Sequence, residues 1–120
     1  PEVKGILGTS SFDAPGKARA IDELGLKGKV FTAGTGMPAA NAQILKDGSV
    51  STLTLWDPAN AGYAMASLAT KILNGETIED GVNLGVEGYE SMHFSSGSTK
   101  VLEGTGWLKI TKDNVDSLGF

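Results

Sequence analysis

Three places in this 120-residue chain put ring-bearing, charged or hydroxyl side chains where a β-strand is expected to end: Phe12-Asp13, Thr35 with Met37, and Trp56-Asp57. The chemistry such a set can do is recognition. An apolar ring stacks on the C–H face of a sugar, while carboxylates and backbone groups hydrogen-bond its hydroxyls, so the combination suits a polyol. Asp13 and Asp57 read equally well as helix caps, and one carboxylate can do both jobs. Trp56-Asp57 also reads as a capped helix beneath a core tryptophan. Hydrolytic machinery is poorly supported: the chain has one histidine, no Gly-x-Ser-x-Gly, no Gly-x-x-x-x-Gly-Lys and no His/Asp/Glu cluster at metal spacing. His93, between Met92 and Phe94, reads as structural or merely exposed, and a triad would have to draw its partners from elsewhere.

Gly34-Thr35-Gly36-Met37-Pro38-Ala39 satisfies Gly-x-Gly-x-x-Ala after an expected strand, and Asp57 closes the next strand about where a ribose-binding acid would lie. This is the residue set of an NAD(P)-binding domain. Pro38 counts against it, because it removes a backbone N–H from the helix start that would cradle a pyrophosphate. The pattern also falls in the second βα unit, whereas a dinucleotide fingerprint normally opens the first.

The elements that must carry these residues follow from periodicity and breakers. Val3–Gly8 reads as a first strand with Thr9–Phe12 as its exit loop. Asp13 then caps a helix with Ala14, Ala18, Ile21 and Leu24 at helical spacing, ended by Gly25. Lys29–Ala33 is the second strand, Gly34-Thr35-Gly36 a tight loop, and Pro38–Lys46 a short helix stopped by Asp47-Gly48. Ser51–Trp56 is the third strand, with Leu53 and Leu55 alternating with threonines. Asp57 suits an N-cap and Pro58 the first position of a helix to Leu73, with Ala61, Met65, Leu68 and Ile72 on one face and Asn74-Gly75 as its stop. Three βα units with short loops predict a parallel sheet with right-handed crossovers, which brings the three strand exits to one edge. After Gly75 the chain reads as extended. It has a turn at Ser95-Ser96-Gly97-Ser98, a last strand at Trp107–Ile110 and a final turn from Thr111 through Val115.

Composition narrows the classes further. The chain fits one domain, and 10 Lys+Arg against 14 Asp+Glu give a net charge of −4 with no basic cluster. Nucleic acid and anionic membrane surfaces are therefore not its expected partners. The absence of cysteine excludes disulfides and thiolate sites but leaves the compartment open. No apolar run approaches the ~20 residues of a membrane span. Glu2 and Lys4 stand where a signal peptide would be apolar, so the chain is expected to begin within a longer protein.

Several segments, in this order, resemble one family. They are Ala14-Pro15-Gly16-Lys17-Ala18, Gly34-Thr35-Gly36-Met37-Pro38, Lys46-Asp47-Gly48-Ser49-Val50, Leu55-Trp56-Asp57-Pro58 with Ala61-Gly62-Tyr63, and Ile110-Thr111-Lys112-Asp113-Asn114-Val115-Asp116. Together they resemble the C-terminal lobe of type I periplasmic sugar-binding proteins of ABC transporters, the ribose-binding-protein-like fold, and within it the rhamnose and autoinducer-2 binding branch. The resemblance implies a ligand in a cleft between two hinged lobes, delivery to a membrane permease, and a periplasmic or extracellular location. It also implies contacts from the loop of Asp13, Pro15 and Lys17, the last two through backbone, and a ligand-facing Trp56. Lys17 stands where the autoinducer receptors carry a small residue.

The expectation is thus an α/β lobe with a mainly parallel sheet flanked by helices and an extended C-terminal tail. Residues 1–120 form one partial domain, with three βα units in 1–75 and a hinge and closing segment in 76–120. Its function is non-catalytic sugar or polyol binding through Asp13, Pro15, Lys17, Thr35, Trp56 and Asp57, with no cofactor and no metal. The N-terminal lobe would lie outside this chain, and an uncovered sheet edge would favour self-association. The rivals are an NAD(P)-binding domain of an oxidoreductase and the effector domain of a sugar-responsive repressor, which shares the fold.

Overall fold

The computed structural model describes residues 2–120. Its elements in chain order are β1 (Gly5–Leu7), α1 (Asp13–Glu23), β2 (Phe31–Thr35), α2 (Pro38–Lys46), β3 (Thr52–Trp56), α3 (Pro58–Leu73), β4 (His93–Phe94), β5 (Leu102–Glu103), β6 (Trp107–Ile110) and a 3-10 turn at Val115–Ser117. The three βα units expected from periodicity are present. The chain divides into two compact units, one reaching to Leu55 and resuming at Leu108–Phe120, the other comprising Trp56–Trp107.

In the first unit the sheet order is β1-β2-β3-β6. β1 pairs with β2 in parallel, Leu7 opposite Ala33, and β2 pairs with β3 in parallel, Gly34 opposite Leu53 and Thr35 opposite Thr54. Alternation in β3 turns Leu53 and Leu55 toward one face, where they are buried with Ala14 and Ala18 of α1, Leu45 of α2, Val50, Ile110 and Val115. Burying each leucine contributes ~1.5–3 kcal/mol. Alanines at 14 and 18 let α1 lie close against that core. Two threonine hydroxyls tie strands that are distant in sequence. Thr32 donates to the Ile6 carbonyl at 2.9 Å and Thr52 to the Ile110 carbonyl at 3.0 Å. Among the described residues β1 has no second neighbour, and Val3 and Leu7 are exposed. A groove of about 550 Å³, lined by residues that include Val3, Ile6, Ile21, Leu24, Leu26 and Val30, borders it.

Three local expectations shift. β2 lies two residues later than Lys29–Ala33, because the Lys29 and Val30 amides both donate to the Leu26 carbonyl and close a turn. Thr35 therefore ends a strand instead of sitting in a tight loop. Leu24 falls at the C-cap of α1 and is exposed, since the helix stops at Glu23 and Gly25 turns the chain at φ 64°.

In the second unit, α3 buries Ala64, with Leu68 beside it, against Leu84, Met92, Val82, Val86, Tyr89 and Leu102 of the segment that follows. Of the expected Ala61, Met65, Leu68, Ile72 face, Leu68 joins this cluster, whereas Met65 and Ile72 are exposed. β4 and β5 form an antiparallel pair with His93 opposite Glu103. Gly88, Gly104 and Gly106 of this segment mark close approaches. A Cβ at Gly106 would lie 2.8 Å from the Tyr89 ring, so only hydrogen fits there.

Candidate functional site

Because β1, β2 and β3 are parallel, their carboxyl ends share one edge of the first unit's sheet, the edge at which open α/β sheets take ligands. Asp13 and Lys17 reach that edge from the first turns of α1. Asp13 is not the cap expected of it. Phe12 holds the N-cap position, Asp13 is the first helical residue, and its Oδ2 accepts the Ser10 amide at 3.0 Å, bracing the loop between β1 and α1. Lys17 reaches past β1, and its Nζ donates to the Ala33 carbonyl at 3.1 Å. The side chain is thus committed to the sheet edge, where the family resemblance had implied contact through backbone. Both residues are half-buried and Pro15 is exposed.

Glycines make room for this arrangement. A Cβ on Gly8 would lie 2.2 Å from Lys17 Nζ and 2.6 Å from Asp13 Oδ2. A Cβ on Gly34 would lie 2.8 Å from the Gly8 carbonyl oxygen and 3.5 Å from Lys17 Nζ. Gly34 and Thr35 are ladder residues of β2, and Gly36 is confined by Asn41 and Leu53. The Gly-x-Gly pattern therefore serves strand approach and helix packing. With Pro38 at the first position of α2, it does not present the tight phosphate-binding turn of a dinucleotide fold.

Trp56 and Asp57 belong to the second unit. Asp57 is the N-cap of α3, and its Oδ1 accepts the Ala59 amide at 2.7 Å and the Asn60 amide at 3.2 Å, with Pro58 at the first helical position as expected. Trp56 is no core tryptophan: it is 43% exposed and meets Trp107 edge to face, with centroids 5.4 Å apart and planes at 86°. Residue by residue, the sequence marks Trp107 only as the start of a strand. Nothing local to it signals a partner some fifty residues away.

His93 does find partners. Its Nδ1 is 3.0 Å from Asp80 Oδ2, its Nε2 is 3.1 Å from Ser91 Oγ, and Asp80 Oδ1 accepts the Phe94 amide at 2.7 Å. The His93 hydrogen bond, aided by the Phe94 amide, holds the Asp80 carboxyl below its ordinary pKa. The order Ser-His-Asp matches a triad, but His93 and Asp80 are 60% and 61% exposed. Water competes for every bond there, so the desolvated electrostatics of acyl transfer are lacking. The cluster fastens the Asp80 turn to β4. Among the described residues no His/Cys/Asp/Glu group could hold a metal, and no helix is long and apolar enough to cross a membrane.

Comparison with known proteins agrees with this fold. No curated protein sequence matches the chain. A sugar ABC transporter protein from Actinomyces odontolyticus superposes with TM-score 0.78 at 27% identity, covering 100% of this chain and 38% of that one. A solute-binding protein of an ABC transporter from Agrobacterium vitis, bound with α-D-tagatopyranose, gives 0.64 at 25% identity over 96% of this chain and 32% of that one. LsrB from Clostridium saccharobutylicum, in complex with AI-2, gives 0.66 at 22% identity over 98% and 40%, a likeness of fold. The chain thus spans no more than about two fifths of these structures' lengths. Residues 1–77 match the periplasmic binding protein domain, a family of solute-binding proteins and not of enzymes. With well over half of its residues matched and the parallel α/β architecture in place, the chain belongs to the periplasmic binding protein domain family.

Proposed function

We propose that this chain is a sugar-binding lobe of the solute-binding protein of an ABC-type importer, doing no chemistry of its own. What carries the reading is the pair of charged side chains, Asp13 and Lys17, held at the carboxyl ends of adjacent parallel strands in a chain of the binding-protein family. Around them, Pro15 and Thr35 contribute backbone. In the second unit, the half-exposed Trp56 ring offers a face for the C–H side of a sugar, and Asp57 keeps Oδ2 for a hydroxyl while Oδ1 caps α3. In this reading the relatives' additional length supplies a second lobe that closes over the ligand, the closed form is presented to a membrane permease, and the protein works outside the cytoplasm.

The relative bound with α-D-tagatopyranose supports a monosaccharide or a similar polyol as the ligand class. L-rhamnose, toward which the sequence resemblance points, heads the panel. Titration calorimetry of the full-length natural protein with L-rhamnose, D-galactose, D-ribose and D-tagatose tests it. At least one should bind, and Trp56→Ala should weaken that sugar by roughly tenfold or more, an aromatic contact being worth ~0.5–1.5 kcal/mol beyond buried area. An unchanged affinity in Trp56→Ala would remove the stacking role, and protection by NAD but by no sugar would overturn the function.

A further inference from the structure

We propose that the Asp13 carboxylate and the Lys17 ammonium grip a single hydroxyl of the ligand between them, the hydroxyl donating to Asp13 Oδ2 and accepting from Lys17 Nζ. The proposal rests on the sugar-binding reading above and goes beyond it. It gives the Asp13 and Lys17 side chains one shared partner and makes one ligand hydroxyl obligatory.

Residues four apart on a helix face each other, and an acid followed by a lysine at that spacing ordinarily closes into a direct ion pair. Here the two charges are drawn away from each other. Asp13 Oδ2 is anchored by the Ser10 amide and Lys17 Nζ by the Ala33 carbonyl, and no ion pair joins them among the described residues. Both atoms nevertheless flank the same point, the place a Cβ on Gly8 would occupy, 2.2 Å from the nitrogen and 2.6 Å from the oxygen. They therefore stand between the ~4 Å limit of an ion pair and about 5 Å apart. An oxygen at hydrogen-bonding distance, ~2.8 Å, from both atoms subtends an angle between about a right angle and somewhat above tetrahedral, which suits a hydroxyl that donates one bond and accepts another. Any side chain at position 8 would run into both charged groups, so glycine there sets only a hydrogen between them, and glycine at 34 makes room for the Gly8 carbonyl oxygen.

The charges also decide what fits. A carboxylate or phosphate would meet Asp13, and a cation would meet Lys17, at half-buried positions where screening is weak. A neutral group that both donates and accepts satisfies the two at once. The ammonium has three donors and spends one on Ala33, so it has donors to give. A ligand with hydrogen or methyl at this carbon would leave both charges without their shared partner, which is how a site built for a hydroxyl rejects its deoxy analogue.

The test uses the full-length natural protein, the tightest binder among L-rhamnose, D-galactose, D-glucose and D-tagatose, and that sugar's monodeoxy analogues. In the wild type one analogue should bind about 100-fold or more below its parent. Lys17→Met should bind the parent about 100-fold more weakly and lose most of its discrimination against that analogue. Asp13→Ala, which removes the oxygen that the Ser10 amide and the ligand hydroxyl share, should behave likewise. Unchanged circular dichroism and thermal midpoints show that the variants fold. Parent affinity untouched by both substitutions, or deoxy discrimination that survives them, would sink this inference while leaving the sugar-binding function standing. Tighter, Lys17-dependent binding of D-galacturonate than of D-galactose would also overturn it, assigning Lys17 to an anion. If no sugar binds the wild type, the function itself fails and the inference with it.

Discussion

Asp57 is proposed to serve both a helix and a ligand, and two substitutions separate the roles. The first turn of α3 has a complete hydrogen-bond inventory. Pro58 has no N–H, the Ala59 and Asn60 amides donate to Asp57 Oδ1, and the Ala61 amide donates to the Asp57 carbonyl. Asp57→Ala abandons two donors at once and also removes a negative charge from the positive end of a 16-residue helix. Water reaches this turn and recovers part of the loss, so the expected cost is ~1–2 kcal/mol. That corresponds to a fall in unfolding midpoint of roughly 3–10 °C for a chain of this size. Asp57→Asn retains the acceptor oxygen and gives up only the charge, which limits its cost to ~0.3–1 kcal/mol. Urea and thermal unfolding followed by circular dichroism at 222 nm, where α3 is the longest helix, should rank wild type, Asn and Ala in that order. If Asp57→Ala lies within ~0.3 kcal/mol of the wild type, the cap is not holding α3. If Asn is as damaging as Ala, charge and not the acceptor oxygen is what matters. In sugar titrations of the full-length protein the two variants should converge, because a ligand hydroxyl reads the carboxylate that both have lost.

Further expectations follow from the same geometry. Leu53→Ala, at a fully buried site where β3 packs against α1 and α2, should cost ~2–5 kcal/mol in urea unfolding; a loss below ~1 kcal/mol would mean that the core is not centred there. Asp80 is held below its ordinary pKa first by the His93 hydrogen bond and then by the Phe94 amide, and Asp47 likewise by Ser49 and Lys27. A carboxylate with a depressed folded pKa contributes stability that is present above its unfolded value, near ~4, and is lost as pH falls through the folded value. Asp80→Asn should therefore flatten the acid limb of stability against pH below about 5, and coincident limbs for the two proteins would refute the coupling. Finally, the uncovered edge of β1, with Val3 and Leu7 exposed, should drive the 120-residue chain to self-associate at high concentration. A monomeric mass by light scattering would contradict this.

Much of this protein was legible in the order of its residues. Alternation in Thr52–Trp56, the Asp57-Pro58 helix start, the Asn74-Gly75 stop and the repeated βα period are local signals, and each names an element without reference to the rest of the chain. Short loops between those units imply parallel pairing, and zero cysteines with one histidine remove whole classes of chemistry. Which residues meet across the fold was decided by tertiary structure. The turn at Leu26–Val30 moved β2 by two residues, and that register made Gly34 and Thr35 ladder partners of β3 instead of a phosphate loop. A helix period could not say that Ala64 and Leu68, and not Met65 and Ile72, would be covered, because the covering residues arrive from a tail without helical period. The edge-to-face contact of Trp56 with Trp107, the pull of Ala33 on Lys17 and the clearance at Gly8 likewise depend on strand register and backbone separation. Propensity and spacing act over one or two turns of chain, whereas a site is made of atoms within a few ångströms that the chain brings together only when its sheet is paired.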